Sequence, residues 1–501
     1  MTAPQRAEVL AALPDIVVVL ADDLGHSDLS CYGATAFATP VLDGLAACGR
    51  RFTDAHAASA VCTPSRYALL TGRHPWRSAL RSAVLGGTDG ALISEDVPTL
   101  ADALREAGYR TAAIGKWHLG LDWTLQDGRR RRIDPARAFR PSMEADGWDV
   151  DYTEPYENGP LERGFDHFFG IAGSLDMPPY CFLTGDRVET EPTEPKQPLI
   201  TSQRPGPAAP GWLDEEVDPR FAEEAVDWLR RTTPIRPDDP PRFLYLATAA
   251  PHRPCVPPEE FRGRSGIGPR ADSILMLDQI VGRIEEAMAD SPRPRIIVFA
   301  SDNGAPTCYP EDGELADHRP NGELRGQKAD VYDGGHRVPL IVSGDGLSPS
   351  TDDRLVSLLD LFPSLHAHVA EPTGEDWSPT PAGTQPLLAL DGTADLMRPS
   401  ASSDPSAPSD PTDPSARVVG ATAFDGSLVL MREKEVAVFS TGSGGFSEPV
   451  GVPTSTDGDQ GQFFDRAADP QQSTDLWAAS AVSRRKMVAR FIHETAYGES
   501  P

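Results

Sequence analysis

The sequence predicts an α/β protein with a large, mostly parallel central sheet flanked by helices, and a small C-terminal antiparallel sheet with a helix. Short apolar runs such as residues 16–20 recur along the chain, and segments with helical periodicity separate them. Continuous β-branched runs are typical of strands buried on both faces of a parallel sheet. Near the C-terminus, residues 427–431 and 435–439 alternate apolar and polar side chains, which predicts an antiparallel hairpin.

Length and composition set the domain organisation that we expect. The 501 residues are 39% hydrophobic and 24% charged, which is typical of a soluble globular protein. We expect a main α/β domain over residues 1–398, with a polar, irregular insertion at about residues 122–160 that lies over the site and adds nothing to the core. Residues 399–416 are almost all Pro, Ser, Asp, Thr and Ala and predict a disordered linker, and residues 417–501 form a small α+β subdomain.

The net charge and the cysteine content limit the kinds of binding partner and the cellular compartment that we expect. A net charge of −29 argues against a nucleic acid or an anionic membrane as partner, because both repel an acidic surface. No apolar run is long enough to span a bilayer, and residues 1–14 do not resemble a secretory signal. The six cysteines lack metal-site spacing, so we expect reduced thiols and a cytoplasmic location.

The first strand brings two carboxylates to the edge of the sheet. Asp22 and Asp23 directly follow the apolar run of residues 16–20, at the strand end where α/β proteins bind ligands. Two neighbouring Asp residues are more often part of a solvated loop. At a strand-to-loop turn, however, both side chains can reach one cation.

A second segment reads Cys-Thr-Pro-Ser-Arg-Tyr-Ala-Leu-Leu-Thr-Gly-Arg and starts at Cys62. Thr63 and Pro64 suit the start of a helix, and Gly72 suits its end. Cys62 would then lie at the helix N-terminus, where free N–H groups and the helix dipole favour an anion, with Arg66 one turn further on. A lone cysteine is more often a buried small residue. A nucleophile beside an anion site is what attack on a sulfate or phosphate ester requires.

Three later strands are also followed by polar residues. They are residues 109–114 with Lys116 and His118, residues 243–247 with His252, and residues 295–300 with Asp302 and Asn303. Because parallel strands end at one edge, these side chains should converge on Asp22 and Asp23. A glycine-rich loop carrying Lys328 precedes a strand at residues 338–342.

Amphipathic segments between the strands predict the helices. We expect them at residues 39–49, 99–107, 221–229, 274–288, 354–369 with a break at Pro363, and 483–495.

The oxygen-only set of Asp22, Asp23, Asp302 and Asn303 favours a hard cation such as Ca²⁺ or Mg²⁺ over zinc. The residues alone do not choose between these two ions.

The Cys62 segment, Cys-x-Pro-Ser-Arg followed by four residues and Thr-Gly-Arg, resembles the signature of the type I, formylglycine-dependent sulfatases. Lys116, His118, His252 and Lys328 together resemble the branch of arylsulfatase A and N-acetylgalactosamine-6-sulfatase. The resemblance implies the alkaline-phosphatase-like fold. It also implies that a formylglycine-generating enzyme oxidises Cys62 to formylglycine (3-oxoalanine), whose hydrate is the nucleophile.

The same resemblance implies the roles of the site residues. Ca²⁺ would be held by Asp22, Asp23, Asp302 and Asn303, and His118 would be the base that releases sulfate. Arg66, Lys116 and Lys328 would stabilise the transferring sulfuryl group, and His252 with Lys328 would protonate the leaving oxygen. Lys116, His252 and Lys328 would also bind substrate.

The function predicted is hydrolysis of an aryl or carbohydrate sulfate monoester. Two alternatives stay open: a phosphonate or phosphate diester hydrolase of the same superfamily, and a sulfated-glycan binding protein if Cys62 is not modified. We expect substrate choice to depend on loops such as residues 76–81 and 176–180.

Overall fold

The computed structural model describes residues 12–136, 147–236, 239–307, 318–373 and 417–496. Its strands are β1 Asp15–Ala21, β2 Arg50–Phe52, β3 Ala55–His56, β4 Arg110–Lys116, β5 His167–Ile171, β6 Leu183–Thr184, β7 Arg187–Val188, β8 Glu194–Pro195, β9 Pro207–Ala208, β10 Arg242–Ala247, β11 Arg295–Ser301, β12 Leu340–Gly344, β13 Ser350–Asp352, β14 Val356–Ser357, β15 Val419–Thr422, β16 Leu428–Arg432, β17 Glu435–Phe439 and β18 Gln462–Asp465. Its helices are α1 Pro40–Cys48, α2 Cys62–Thr71, α3 Leu100–Glu106, α4 Val217–Arg231, α5 Pro269–Ala289, α6 Asp333–His336, α7 Leu361–Thr373 and α8 Ala481–Ala496.

A ten-stranded sheet in the order β13-β2-β12-β11-β1-β10-β4-β5-β6-β7 forms the centre of the main domain. Strands β11, β1, β10, β4 and β5 are parallel, whereas β12 and β6 join this parallel core in the antiparallel direction. The mostly parallel sheet is therefore confirmed. Every residue of β1 is buried, as its β-branched sequence predicts for a central strand.

Helices cover both faces of this sheet. Alternate residues of β1 point to opposite sides, so that Ile16 and Val18 join one apolar cluster and Val17 and Val19 join the other. Residues of α2, α3 and α7 pack in the first cluster, and residues of α1, α4 and α5 pack in the second. None of the described helices is both long and apolar enough to cross a membrane.

The C-terminal region contains a four-stranded antiparallel sheet in the order β15-β16-β17-β18. Its β16 and β17 form the antiparallel hairpin that the alternating pattern predicts. One face packs on Val331 and Tyr332 of the main domain, and the other packs on Met487 and Phe491 of α8. The C-terminal sheet is thus joined to the loop that carries Lys328.

The structure corrects two expectations. The helix over residues 354–369 is not broken at Pro363: a short 3₁₀ turn at Leu358–Asp360 leads into α7, and Pro363 lies in the first turn of α7, where no backbone N–H is needed. Within residues 122–160, Trp123, Val150 and Tyr156 are buried in the main core, so the described part of this segment does contribute to packing. The proposed linker of residues 399–416 and Cys308 lie outside the described residues. The five described cysteines are free thiols.

Candidate active site

The residues predicted to form the site meet at the edge where the parallel strands end. Ala21 of β1 lies opposite Ser301 of β11, and this register brings Asp22 and Asp23 beside Asp302 and Asn303. The loop after β10 supplies His252, and the end of β4 supplies Lys116. The convergence predicted from the sequence therefore exists in the structure.

Cys62 is the first residue of α2, as its sequence predicts. Val61 before it is extended, and Gly72 ends the helix with a left-handed φ of 64°. Every residue of α2 is buried, and the Cys62 side chain faces the acidic cluster, with Sγ 3.4 Å from Oδ1 of Asp22. Burial and the carboxylates of Asp22 and Asp302 raise the pKa of the Cys62 thiol well above its usual value. An unmodified thiol here is protonated and is a poor nucleophile.

Asp23 is held in an unusual backbone conformation by several contacts. Its φ is 65°, in the left-handed region, and its N–H donates to Oδ1 of Asp302 over 3.2 Å. Its carboxylate accepts hydrogen bonds from Nζ of Lys328 at 2.7 Å and from Nδ2 of Asn303 at 2.7 Å. Burial acts to raise the pKa of Asp23, but Lys328 and His252 outweigh it and hold the pKa below its usual range.

Arg66 and Lys116 are buried among the carboxylates. Nε of Arg66 donates to Oδ2 of Asp302 over 3.0 Å, and Nη1 donates to the Lys116 carbonyl over 3.0 Å. Nζ of Lys116 donates to Oδ2 of Asp22 over 2.5 Å. Burial and the neighbouring Asp22 raise the pKa of Asp302. Arg66 and Lys116 thus pair with the carboxylates of Asp302 and Asp22 in this structure, where they orient these acidic side chains and offset their charge.

The two histidines are held as neutral rings. Nε2 of His118 donates to the Leu85 carbonyl over 2.7 Å, and Nδ1 is buried without a hydrogen-bond partner among the described residues. Nδ1 of His252 donates to the Arg253 carbonyl over 2.7 Å, and Nε2 lies 3.6 Å from Oδ2 of Asp23. Burial, reinforced by Lys116 and Arg66, lowers the pKa of His118 well below its usual value, whereas burial and Lys328 lower that of His252 to about 4. Each ring therefore keeps one nitrogen as a proton acceptor.

The carboxylate and amide oxygens of this cluster could hold a hard cation, although a thiol and an imidazole lie beside them. The ligand atoms of Asp22, Asp23, Cys62 and His252 lie within 4.8 Å of one another. Oδ1 of Asn303 is buried and has no hydrogen-bond partner in the part of the chain that the structure describes, although Nδ2 is bonded to Asp23. A buried carbonyl oxygen that accepts no hydrogen bond is available to coordinate a cation, and Asn and Asp oxygens suit Ca²⁺ or Mg²⁺.

An open cleft of about 660 Å³ leads to this centre. Cys62, Asp23, His118, His252 and Lys328 line its floor. Arg66 and Lys116 do not line it, because they lie behind the carboxylates. The walls of the cleft come from distant segments: Val61, Val84, Ser174, Asp176, Met177, Ser202, Arg204, Arg253, Phe424 and Phe446.

Only one of the two loops expected to shape the substrate site does so. Asp176 and Met177 line the cleft, as expected for the loop at residues 176–180. The loop at residues 76–81 does not line it: Trp76 packs on Phe491, and Arg77 donates to the Thr495 carbonyl of α8. That loop fastens the C-terminal helix to the main domain.

Sequence reasoning missed the residues that hold the site in place. Arg270 of α5 donates to the Asp23 carbonyl over 2.9 Å and pairs with Asp28 through both terminal nitrogens. Asp330 accepts hydrogen bonds from the backbone N–H groups of Phe446 and Ser447, which fixes the C-terminal wall of the cleft. In the sequence these residues are ordinary charged side chains that lie far apart in the chain. No sequence pattern indicates which of them pair in the folded protein.

A cysteine at a helix start, an acidic cluster that could hold a cation and a cleft lined by Lys and His fit a hydrolase of oxyacid esters on an alkaline-phosphatase-like fold. Comparison with known proteins gives the family. Residues 14–370 match the family described as Sulfatase. An N-acetylgalactosamine-6-O-sulfatase of Bacteroides thetaiotaomicron is 34% identical over 406 residues, covering 73% of this chain and 74% of its own length. Human arylsulfatase A is 34% identical over 390 residues, covering 75% of this chain and 69% of its own length.

A solved structure supports the assignment of this chain to the family. It is titled for the metabolism of multiple glycosaminoglycans by Bacteroides thetaiotaomicron, and it matches with a TM-score of 0.74 and 27% identity, covering 97% of this chain and 99% of that one. The chain belongs to the sulfatase family and is a sulfuric ester hydrolase. The fold, the family and the enzyme class predicted from the sequence are confirmed.

Proposed function

We propose that this sulfatase hydrolyses aryl or carbohydrate sulfate monoesters with Cys62 as its nucleophile position, after oxidation of Cys62 to formylglycine. The observation that carries the proposal is the place of Cys62, which starts a buried helix on the floor of the cleft beside Asp22. The raised pKa of the thiol disfavours a thiolate mechanism. The hydrate of formylglycine would supply a hydroxyl nucleophile and a second hydroxyl from which the aldehyde is restored.

The maturation step follows from the burial of this position. Cys62 is 2% exposed and its whole helix is buried, so an enzyme cannot reach it in the folded protein. A formylglycine-generating enzyme would therefore act before folding is complete.

Asp22, Asp23, Asp302 and Asn303 would hold the divalent cation, with Ca²⁺ as the first candidate. When bound, such an ion lowers the pKa of a neighbouring hydroxyl and polarises a sulfate oxygen. Asn303 offers an oxygen that has no other described partner, and Arg270 holds the Asp23 backbone in the conformation that turns its carboxylate inward.

The residues on the floor of the cleft would handle charge and protons. Lys328 carries a fixed charge, because its pairing with Asp23 outweighs burial and raises its pKa well above the usual value. It can therefore bind a sulfate oxygen. Nδ1 of His118 can accept a proton when sulfate is released. His252 is neutral in the free site, and a bound sulfate anion would favour its protonation for transfer to the leaving oxygen.

The first test is the mass of the tryptic peptide of residues 52–66 from protein made in its native host. We expect the aldehyde form, which is lighter than the thiol form. The same preparation should hydrolyse an aryl sulfate faster than an aryl phosphonate, lose activity on chelation, and regain more activity with Ca²⁺ than with Mg²⁺. Faster hydrolysis of the phosphonate would favour the diester or phosphonate hydrolase, and an unmodified Cys62 would favour the non-catalytic glycan binder.

A further inference from the structure

Asp218 is a buried carboxyl near the active site that the proposed mechanism does not use. It is the second residue of α4 and is 5% exposed. No cation of the described residues pairs with it, and burial raises its pKa to about 7, against the opposing effect of the Ala249 N–H. A buried carboxyl without a cation costs folding free energy, so stability alone gives no reason for Asp at this position.

The Asp218 side chain binds the turn that carries His252. Oδ1 of Asp218 accepts the N–H of Ala249 over 2.8 Å. The carbonyl of Ala249 in turn accepts the N–H of His252 over 3.0 Å, which closes the turn at residues 249–252. Ala249 therefore connects Asp218 on one side with His252 on the other.

Packing alone does not fix this turn. His252 lines the cleft, and it also lines a second cavity of about 250 Å³ that Asp218, Ala250 and Ser273 help to form. A residue that borders two cavities has fewer packed neighbours than a core residue, so the hydrogen bonds of its loop contribute more to its position. The bond from Ala249 to Asp218 joins this loop to helix α4.

The ring of His252 depends on the turn for its position. Nδ1 donates to the carbonyl of Arg253, which belongs to the same loop, over 2.7 Å. Nε2 lies 3.6 Å from Oδ2 of Asp23, which is longer than a hydrogen bond. A shift of the loop by about 1 Å would carry the ring with it, and a misplacement of this size can reduce a rate by about 100-fold.

We propose that Asp218 is a positioning residue, which holds His252 where it can protonate the leaving oxygen. The inference rests on the proposed sulfate ester hydrolysis, in which His252 is the acid. The same loop also contacts the cation site, because the Ala250 carbonyl accepts the N–H of Asp22 over 3.1 Å. The test therefore separates an effect on His252 from an effect on Asp22.

The test uses the basicity of the leaving group. Release of 4-nitrophenolate needs little protonation, whereas release of the more basic phenolate needs an acid. The measured quantity is kcat/KM for 4-nitrophenyl sulfate divided by kcat/KM for phenyl sulfate, a ratio that does not depend on the fraction of active enzyme. In Asp218→Leu, we expect kcat/KM to fall about 100-fold for phenyl sulfate and less than about tenfold for 4-nitrophenyl sulfate, so that the ratio rises.

Matched variants identify the cause of this rise. Asp218→Asn keeps an oxygen that can accept the N–H of Ala249, so its ratio should stay close to that of the wild type. The control is Asp227→Leu, which replaces an exposed carboxylate of the same helix and should leave both rates unchanged. If Asp218→Leu does not fold, Asp218→Ala gives the same comparison.

A double substitution tests whether Asp218 acts through His252. His252→Ala should raise the ratio at least as much as Asp218→Leu does. Adding Asp218→Leu to His252→Ala should not raise it further, because the acid that Asp218 holds is already absent.

Each contrary outcome has a distinct pattern. Equal losses on both sulfates in Asp218→Leu would mean that Asp218 supports only the fold or the cation site. A further rise of the ratio in the double variant, or an unchanged ratio in His252→Ala, would exclude action through His252. These results overturn the inference, whereas the proposed sulfate ester hydrolysis remains. If wild-type protein with oxidised Cys62 hydrolyses neither sulfate, the proposed function fails and the inference fails with it.

Discussion

The buried ion pair between Arg270 and Asp28 should be the strongest single support of the loop that carries Asp23. Arg270 contacts Asp28 at 2.9 and 2.6 Å, and the two side chains are 2% and 0% exposed. Burial acts to raise the pKa of Asp28, but Arg270 and His318 outweigh it and hold the pKa below its usual value. The substitution Arg270→Met keeps most of the side-chain volume and removes the charge.

The expected loss in the free energy of unfolding is about 3–5 kcal/mol, because Arg270→Met leaves a buried carboxylate without its cation. The control is Arg262→Met, which removes an ion pair of the same length: Arg262 lies 2.6 Å from Glu215, with side chains 52% and 41% exposed. Solvent screens that pair, so its loss should cost about 1 kcal/mol or less. Urea titrations followed by circular dichroism, at one protein concentration and with or without added Ca²⁺, measure both values.

The double substitution Asp28→Asn with Arg270→Met separates charge from packing. Once the carboxylate is neutral, the absence of Arg270 leaves no buried charge, so the double variant should be more stable than Arg270→Met alone. If Arg270→Met costs no more than Arg262→Met, or if the effects of the two single substitutions add, the reasoning about the buried pair is refuted.

Three further predictions concern the nucleophile, pH dependence and the cleft wall. Cys62→Ala should reduce 4-nitrophenyl sulfate hydrolysis to background, because no aldehyde can form, and its circular dichroism spectrum should be unchanged. Hydrolysis above the rate of a blank without protein would contradict this prediction. His74 is buried against Trp76 with ring centroids 4.2 Å apart, and burial with Arg77 lowers its pKa from 6.5 to about 3. Because the folded pKa is below the unfolded one, the unfolded chain binds more protons below pH 6.5, and stability falls as the pH falls toward 3. From pH 6.5 to 4.5 this costs about 2–3 kcal/mol, which His74→Phe should remove from the measured pH dependence; an identical pH dependence in His74→Phe would exclude His74 as its source. Asp330→Ala should raise KM about tenfold with a smaller change in kcat, because the N–H groups of Phe446 and Ser447 lose their acceptor; steady-state kinetics check this, and a fall in kcat alone would count against a role in binding.

The part of the site at strand ends could be predicted from the sequence. Asp22 and Asp302 each follow a β-branched run, and the geometry of parallel sheets brings such positions to one edge. The two are neighbours because β1 and β11 are adjacent strands, which the sequence does not show. The helix that starts at Cys62 could also be predicted, because Pro64 and Gly72 mark its two ends in the local sequence. The alkaline-phosphatase-like fold itself came from the resemblance of these segments to a family, since periodicity alone gives only the class.

The walls of the cleft could not be predicted, because they depend on contacts between segments far apart in the chain. Phe446 reaches the site through a loop of the C-terminal region that Asp330 holds, across 116 positions of sequence. Arg66 shows the same limit: its charge is evident in the sequence, but its pairing with Asp302 is not. Sequence shows which charges exist, but the partner of each charge depends on the folded arrangement.

The pairing of these charges bears on how an acidic protein with a net charge of −29 could bind an anionic ester. Asp22, Asp23 and Asp302 face Lys116, Lys328 and Arg66 at 2.5, 2.6 and 2.8 Å, so the formal charges of these six side chains sum to zero. The lysines and the arginine therefore offset the carboxylates and do not by themselves give the site a positive charge. A bound divalent cation would raise that sum to plus two. A bound cation would therefore contribute to the attraction of sulfate as well as to the chemical step, against a long-range field of the protein that opposes the approach of an anion.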